Sequence, residues 1–320
     1  MNKLFQIWKI ADLRNKILKV LMWLTAFRLL AVIPIPGIDA EKLSSFLGSN
    51  QLFSFVNIFS GGALSNLSIM MLGVGPYITA TIIMQLLTMI FPALKTMYYE
   101  EGTTGRAKFN RISRYLTVPM AILQSYGFLK ILESQGALGT LTFGALLSNV
   151  IVVTAGSVVL MWIGELIGEY KIGNGISLLI FAGIVSGIPG AIRSAILTFD
   201  RALLPTYIAF LILSVIIIAG VVFVNQGERK IPVSYSKRIR GNRMYGGAMS
   251  YLPLKVNQAG VIPIIFAISL LLFPQFLAQI ITIFSEDIAL KVNDLVTKIF
   301  NNQIIYSILY FGLVVIFTYF

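Results

Sequence analysis

The sequence predicts an all-α polytopic membrane protein. Of its 320 residues, 57% are hydrophobic and only 12% are charged, with a mean hydropathy of +0.85. A globular protein carries about 25% charged residues because its surface must be hydrated, so this composition indicates a chain embedded in a bilayer. Helices are expected because a strand edge exposed to lipid leaves backbone groups unpaired. The apolar runs are also too long and too uniform for a barrel.

Eight apolar runs are long enough to cross a membrane, for which about 20 residues suffice. They lie near 17–35, 69–93, 115–132, 147–168, 175–198, 204–225, 258–284 and 304–320. The first run leads into Pro34 and Pro36 without a small-residue cleavage site, which predicts a retained span rather than a signal peptide. Phe320 lies inside the eighth run. We therefore expect that the sequence is a fragment, or that the rest of the complex lies in a separate chain.

Basic residues favour one side of the predicted membrane. With the N-terminus in the cytoplasm, the cytoplasmic segments contain 18 of the 25 Lys and Arg residues. The largest group lies between the sixth and seventh runs. Since cytoplasmic loops of membrane proteins are enriched in Lys and Arg, the sequence predicts a cytoplasmic N-terminus.

An unusually long interval, between Lys42 and Lys95, contains no charged residue. One span accounts for about 20 of these positions, and the remainder, roughly 43–68, is apolar but broken by Gly, Ser and Asn. We expect it to form a re-entrant half-helix enclosed by protein at membrane depth. Gly73, Gly75 and Pro76 mark its junction with a full span. A surface-lying helix or a kinked span is the alternative, because Gly and Pro are common in membrane helices.

Seven stretches occur in one order over nearly the whole chain. They are IPIPGID at 33–39, FSGGALS at 59–65, SIMMLGVGPYITATIIMQLL at 68–87, EGTTGRAKFNRISRY at 101–115, MWIGELI at 161–167, IGNGISLLIFAGI at 172–184 and LPLKVNQAGVIPIIFA at 252–267. Together they resemble SecY, the channel subunit of the bacterial Sec protein translocase. The resemblance implies a SecY-type bundle of two pseudo-symmetric halves, 1–200 and 201–320. About eight of the family's ten transmembrane helices are expected, with a re-entrant plug half-helix near 59–72.

The resemblance also implies roles for individual residues. It places a pore ring on Val74, Ile78, Ile176, Ile180 and Ile265. It places the plug on Phe59, Gly61, Gly62, Leu64, Ser65, Asn66, Leu67 and Ile69. It places a lateral gate between helices two and seven, at Gln85 and Asn257. It places the docking of cytoplasmic partners on Arg106, Lys108, Lys237, Arg238, Arg240 and Arg243, the last four within a basic loop at 226–256.

Each of these roles has an ordinary alternative. Most isoleucines in membrane helices face lipid or neighbouring helices, although a collar of aliphatic side chains is what a gate that excludes water requires. A hydrogen bond between Gln85 and Asn257 would contribute about 0.6–2 kcal/mol to closure, and a static interhelical bond elsewhere is the alternative. The enrichment of Lys and Arg in cytoplasmic loops and their contact with lipid also explain why these loops are basic. They do not explain the length of the 226–256 loop.

The implied function is a channel that translocates unfolded secretory polypeptides across the bacterial plasma (inner) membrane and inserts membrane proteins laterally. The implied partners are SecE, SecG, the motor ATPase SecA, the ribosome, signal-sequence-bearing polypeptides and membrane lipid. No cofactor, metal or catalytic residue is expected, since the chain has no His or Cys and no protease or hydrolase motif. A secondary transporter is the rival, but coupled transport needs ionisable groups inside the spans, and these are nearly absent.

Overall fold

The computed structural model describes residues 9–35, 57, 60, 62–64, 67–134, 142–234, 238–240, 243–245, 249–257, 259–260, 263–268, 270–271, 274, 281, 292, 298 and 302–319. Its named helices are α1 (Ala11–Leu30), α2 (Gly75–Ile90), α3 (Pro92–Tyr99), α4 (Gly102–Ser134), α5 (Phe143–Glu169), α6 (Gly175–Leu197), α7 (Leu204–Gln226) and α8 (Gln303–Tyr319). A short 3₁₀ turn, Arg201–Leu203, precedes α7, and residues 263–268 are also helical.

Three of the described helices, α5, α6 and α7, are individually long and apolar enough to cross a membrane. Helices α2 and α3 meet the same criterion together, but the chain bends by 112° between them. The bend follows from Pro92, which begins α3. A residue that precedes proline is pushed out of the helical region, and Phe91 accordingly has an extended backbone.

Helices α1, α2, α4 and α6 form one bundle around α5. Helix α4 packs between α2 and α5, α6 packs on α5, and α1 lies against both α5 and α6. Two groups of buried apolar side chains hold them together. The α4 cluster consists of Ile35, Leu64, Leu67, Met71, Leu72, Phe128, Leu129, Ile131, Leu132, Leu146, Val150 and Val153. The α1 cluster consists of Val20, Phe27, Ala31, Ala63, Met70, Val74, Leu160, Ile163, Ile167, Leu179 and Ile180.

The loop predicted at 226–256 contains β-structure, which the all-helical prediction did not include. Strand β1 (Glu228–Ser234) pairs antiparallel with β4 (Met249–Lys255), and between them β2 (Arg238–Arg240) pairs with β3 (Arg243–Tyr245). The rule that excludes open strands applies only within the hydrocarbon region. The pairing of β2 with β3 is nested within that of β1 with β4 along the chain, and we name residues 228–255 the projection.

Candidate functional site

The stretch before α2 is enclosed by protein, but its described residues form turns where the sequence predicts a half-helix. We name residues 62–64 and 67–74 the central segment. Positive φ angles at Gly62, Leu67 and Gly73 interrupt any helical path, because the right-handed helix requires negative φ. Four further positions of the predicted plug, Phe59, Gly61, Ser65 and Asn66, lie outside the described residues.

The central segment satisfies its backbone without a helix. The Ile35 N–H donates to the Leu67 carbonyl at 2.8 Å, and the Ile69 N–H donates to the Ile33 carbonyl at 3.0 Å. The Ser68 N–H reaches the Ala63 carbonyl, while the Ser68 hydroxyl accepts from the Met70 N–H. Irregular backbone at membrane depth is tolerated only when it is paired and enclosed in this way.

The five residues assigned to the pore ring come together. Val74 ends the central segment, Ile78 lies one turn into α2, and Ile176 and Ile180 are one turn apart on α6. Ile265 comes from the helical residues 263–268. Val74 and Ile180 belong to the α1 cluster, and the other three pack against it. We name these five residues the collar.

A cavity of about 790 Å³ lies against the collar. Four collar residues, all except Val74, are among its lining residues. The remaining wall is partly polar and includes Gln85, Asn110, Arg114, Glu165 and Glu169. Arg114 of α4 and Glu165 of α5 form an ion pair across this wall. The cavity is therefore lined by charged and polar groups on one part of its wall and by aliphatic side chains on another.

The two gate residues do not bond to each other in this structure. The Asn257 amide donates to the Asn225 side chain at 2.9 Å, and its oxygen accepts from the Gly260 N–H at 3.0 Å. The Gln85 side chain instead lies between the large cavity and a second one of about 270 Å³. This second cavity is lined by α2 and α3 on one side and by residues 259, 263 and 266 with the end of α8 on the other. The hydrogen bond expected between Gln85 and Asn257 is not formed in this structure, in which the Asn257 side chain bonds to Asn225 and Gly260.

The residues assigned to partner docking lie at two places in the chain. Arg106 and Lys108 are on the first turns of α4, where Arg106 stacks over the Tyr98 ring at 5.9 Å and Lys108 lies 3.7 Å from Glu101. The structure places three of the remaining residues in the hairpin of β2 and β3, where position 240 pairs with position 243. Those residues are Arg238, Arg240 and Arg243. Lys237 lies outside the described residues.

Two buried polar contacts were not predicted from the sequence. The Gln124 amide of α4 donates to the Thr79 hydroxyl of α2 at 3.1 Å. The Ser125 and Thr154 hydroxyls lie 3.4 Å apart between α4 and α5. Consecutive polar residues at 124 and 125 within an apolar helix were the signal available in the sequence, since buried polar groups require partners. They fix α4 to both of its neighbours.

Comparisons with known proteins agree with this architecture. The SecY family model matches residues 68–320. The protein translocase subunit SecY of Corynebacterium glutamicum is 42% identical over 343 residues, which cover 100% of this chain and 76% of the relative. This chain thus spans about three quarters of that relative's length.

Solved structures give the same fold. The structure of a protein conducting channel matches with a TM-score of 0.56 at 22% identity, over 82% of this chain and 58% of that chain. Sec61 in the canine ribosome-channel complex from the endoplasmic reticulum matches with a TM-score of 0.55 at 23% identity, again over 82% and 58%. The chain is a multi-pass membrane protein, and it belongs to the SecY family of protein translocase channel subunits.

Proposed function

We propose that this chain forms the protein-conducting passage of a translocase, closed by the collar and the central segment. The observation that carries the proposal is the convergence of the five collar residues. They come from the end of the central segment, α2, α6 and residues 263–268, and the last two are far from the others in sequence. They share one apolar cluster with Met70 of the central segment, and four of them line the cavity.

The chemistry of the collar suits this task. A narrow ring of branched aliphatic side chains excludes water and therefore ions, so it seals by dewetting. Such side chains make no fixed hydrogen-bonding demand, so they can surround polypeptides of many sequences. A charged ring would instead select one ion or one kind of side chain.

The seam beside the second cavity is our proposed lateral exit. Helix α2 forms one wall, and residues 259, 263 and 266 with the end of α8 form the other. Separation along this seam would connect the passage to lipid. The two halves that move apart would be residues 1–200 and 201–320. Gln85, which lines the large cavity, and Asn257, which bonds to Asn225 of α7, would mark the boundary between them.

We further propose the setting in which the channel works. The basic projection and the start of α4 would face the cytoplasm and bind SecA and the ribosome, with the chain in the bacterial plasma membrane and its N-terminus cytoplasmic. SecE and SecG would cover apolar surface such as that of α7, which has no buried residue in the described structure. The driving energy would come from these partners, and the channel itself would be a passive conduit.

Crosslinking from a stalled precursor tests the proposal. A photoreactive residue at position 78 or 180 should crosslink to a secretory precursor arrested in transit in the assembled translocase. The matched control is position 217 on α7, where Ile217 is 55% exposed, and we expect no precursor crosslink there. Absence of crosslinks at both collar positions would overturn the proposed passage.

A further inference from the structure

The central segment approaches α5 closely at Gly156, midway along that helix. A Cβ atom at this position would overlap the carbonyl oxygen of Ile69 and lie 2.9 Å from the carbonyl carbon. These neighbours are backbone atoms, so no change of rotamer relieves the overlap. The central segment can occupy its present depth only because residue 156 has no side chain.

The central segment is also held on its far side. The Ile69 N–H donates to the Ile33 carbonyl, and the Leu67 carbonyl accepts from the Ile35 N–H. The Ile69 backbone thus lies between residues 33–35 and α5. A methyl group at position 156 would displace the segment from α5 and break one or both of these hydrogen bonds.

The conformation of α5 itself does not require a glycine at position 156. Gly144 lies on the same helix, and a Cβ there would meet nothing within 4 Å. The close contact at Gly156 is therefore a requirement of the central segment that packs there and not of α5 itself.

We propose that Gly156 is a positioning residue that sets the depth at which the central segment closes the channel. A side chain at this position holds the segment in a displaced position and weakens the seal. The inference rests on the proposed function, in which the central segment closes the passage. Beyond that function, the inference identifies Gly156 of α5 as the residue of the channel wall that defines the closed position of the segment.

The chain has no cysteine, so single cysteines report the position of the segment directly. Ser68 of the central segment is 0% exposed, and Ser113 of α4 is 1% exposed. In the reconstituted translocase, a water-soluble maleimide should label Ser68→Cys several-fold faster when Gly156→Ala is also present. Labelling of Ser113→Cys should stay slow, and Gly144→Ala should change neither rate.

Resting ion conductance is the second measurement. Gly156→Ala should raise it several-fold and increase the export of a precursor with a defective signal sequence, whereas Gly144→Ala should match the parent. Export of a precursor with an intact signal should remain unchanged. If Gly156→Ala only weakened the packing of the bundle, export of precursors would fall. The channel would not begin to accept a precursor with a defective signal sequence.

Deleting residues 62–72 distinguishes the proposed closing role of the central segment from the role proposed for Gly156. If the deletion leaves resting conductance unchanged, the proposed closing role of the segment is wrong. If the deletion raises conductance while Gly156→Ala behaves as Gly144→Ala does, only the inference about Gly156 is overturned. Faster labelling at both 68 and 113 would also overturn it, because the glycine would then be required for folding of the bundle.

Discussion

Ile78 and Ile180 approach the same apolar cluster from two different helices, so they give a direct test of the seal. Replacing both with serine should raise the resting ion conductance of the reconstituted translocase, because hydroxyl groups retain water where isoleucine excludes it. Ile217→Ser on the exposed α7 serves as the control and should leave conductance unchanged. A tight seal in the double variant would remove these two residues from the collar.

Gly175 determines how closely α6 approaches α5. A Cβ at Gly175 would overlap the Gly164 carbonyl oxygen and lie 2.8 Å from the Gly168 nitrogen. Gly175→Ala should therefore cost about 1–3 kcal/mol, the usual range for overpacking, and should move the adjacent Ile176 out of the collar. Thermal unfolding in detergent and resting conductance measure the two effects.

Gly187→Ala is the matched change on the same helix, since a Cβ there would meet nothing within 4 Å. Equal melting temperatures for the two variants would contradict the predicted close crossing of α5 and α6.

The collar residues were identified from the sequence by resemblance, and the structure brings them together. The roles of Gly156 and Gly175 were not predicted. They are chemically identical to Gly144 and Gly187, around which the structure leaves open space. What distinguishes them is the approach of another part of the backbone, and this depends on tertiary structure.

The long helices were predicted well where lipid imposes a uniform apolar run. The runs at 147–168, 175–198 and 204–225 correspond to α5, α6 and α7 within a few residues. Helix α4 extends far beyond its predicted run of 115–132, because its charged first half continues the helix beyond the apolar part. The pairing of β1 with β4 was not predicted. The prediction relied on long apolar runs, and two short strands separated by an inner hairpin do not produce one.

A buried hydrogen bond between Gln124 and Thr79 joins α4 to α2. Thr79→Val removes the acceptor of the Gln124 amide and should destabilise the fold by about 1–3 kcal/mol, the cost of leaving a buried polar group unpaired. The midpoint of thermal unfolding in detergent reports this change.

Thr81→Val provides the control, because the Thr81 hydroxyl bonds only to the Tyr77 carbonyl of its own helix. It should change stability by less than about 0.5 kcal/mol. If both variants unfold at the same temperature, the Gln124–Thr79 contact does not hold the two helices together.

The projection should bind its partners through charge at the hairpin of β2 and β3. Arg238→Glu with Arg240→Glu should weaken the binding of SecA at least tenfold at low salt, and the difference should shrink at high salt because ions screen exposed charges. Lys255→Glu changes a charge at the base of the projection, where residue 255 pairs with 228, and should have a smaller effect. Equal losses for both changes would indicate a general dependence on charge rather than a docking site at this hairpin.

Two charged contacts between helices lie near the same end of α5. The Lys19 ammonium of α1 lies 5.7 Å from the Tyr170 ring at the end of α5, and Arg114 pairs with Glu165 one turn earlier on that helix. The distribution of Lys and Arg in the sequence predicts that this end is cytoplasmic.

Orientation can be measured in intact cells with single cysteines. Thr198→Cys, between α6 and α7, should react with an impermeant maleimide added outside the cells. Ser234→Cys, at the end of β1, should react only after the membrane is permeabilised. The opposite pattern would show that the chain is inserted the other way round.

The hydrogen bonds of the central segment have a consequence for the energy of opening. Two backbone bonds, from Ile35 to Leu67 and from Ile69 to Ile33, join it to the chain after α1. Each contributes about 1 kcal/mol net, and neither belongs to a helical ladder. Under the proposed function, the central segment can therefore be released while the surrounding helices keep their own backbone hydrogen bonds, so opening requires no helix to unwind.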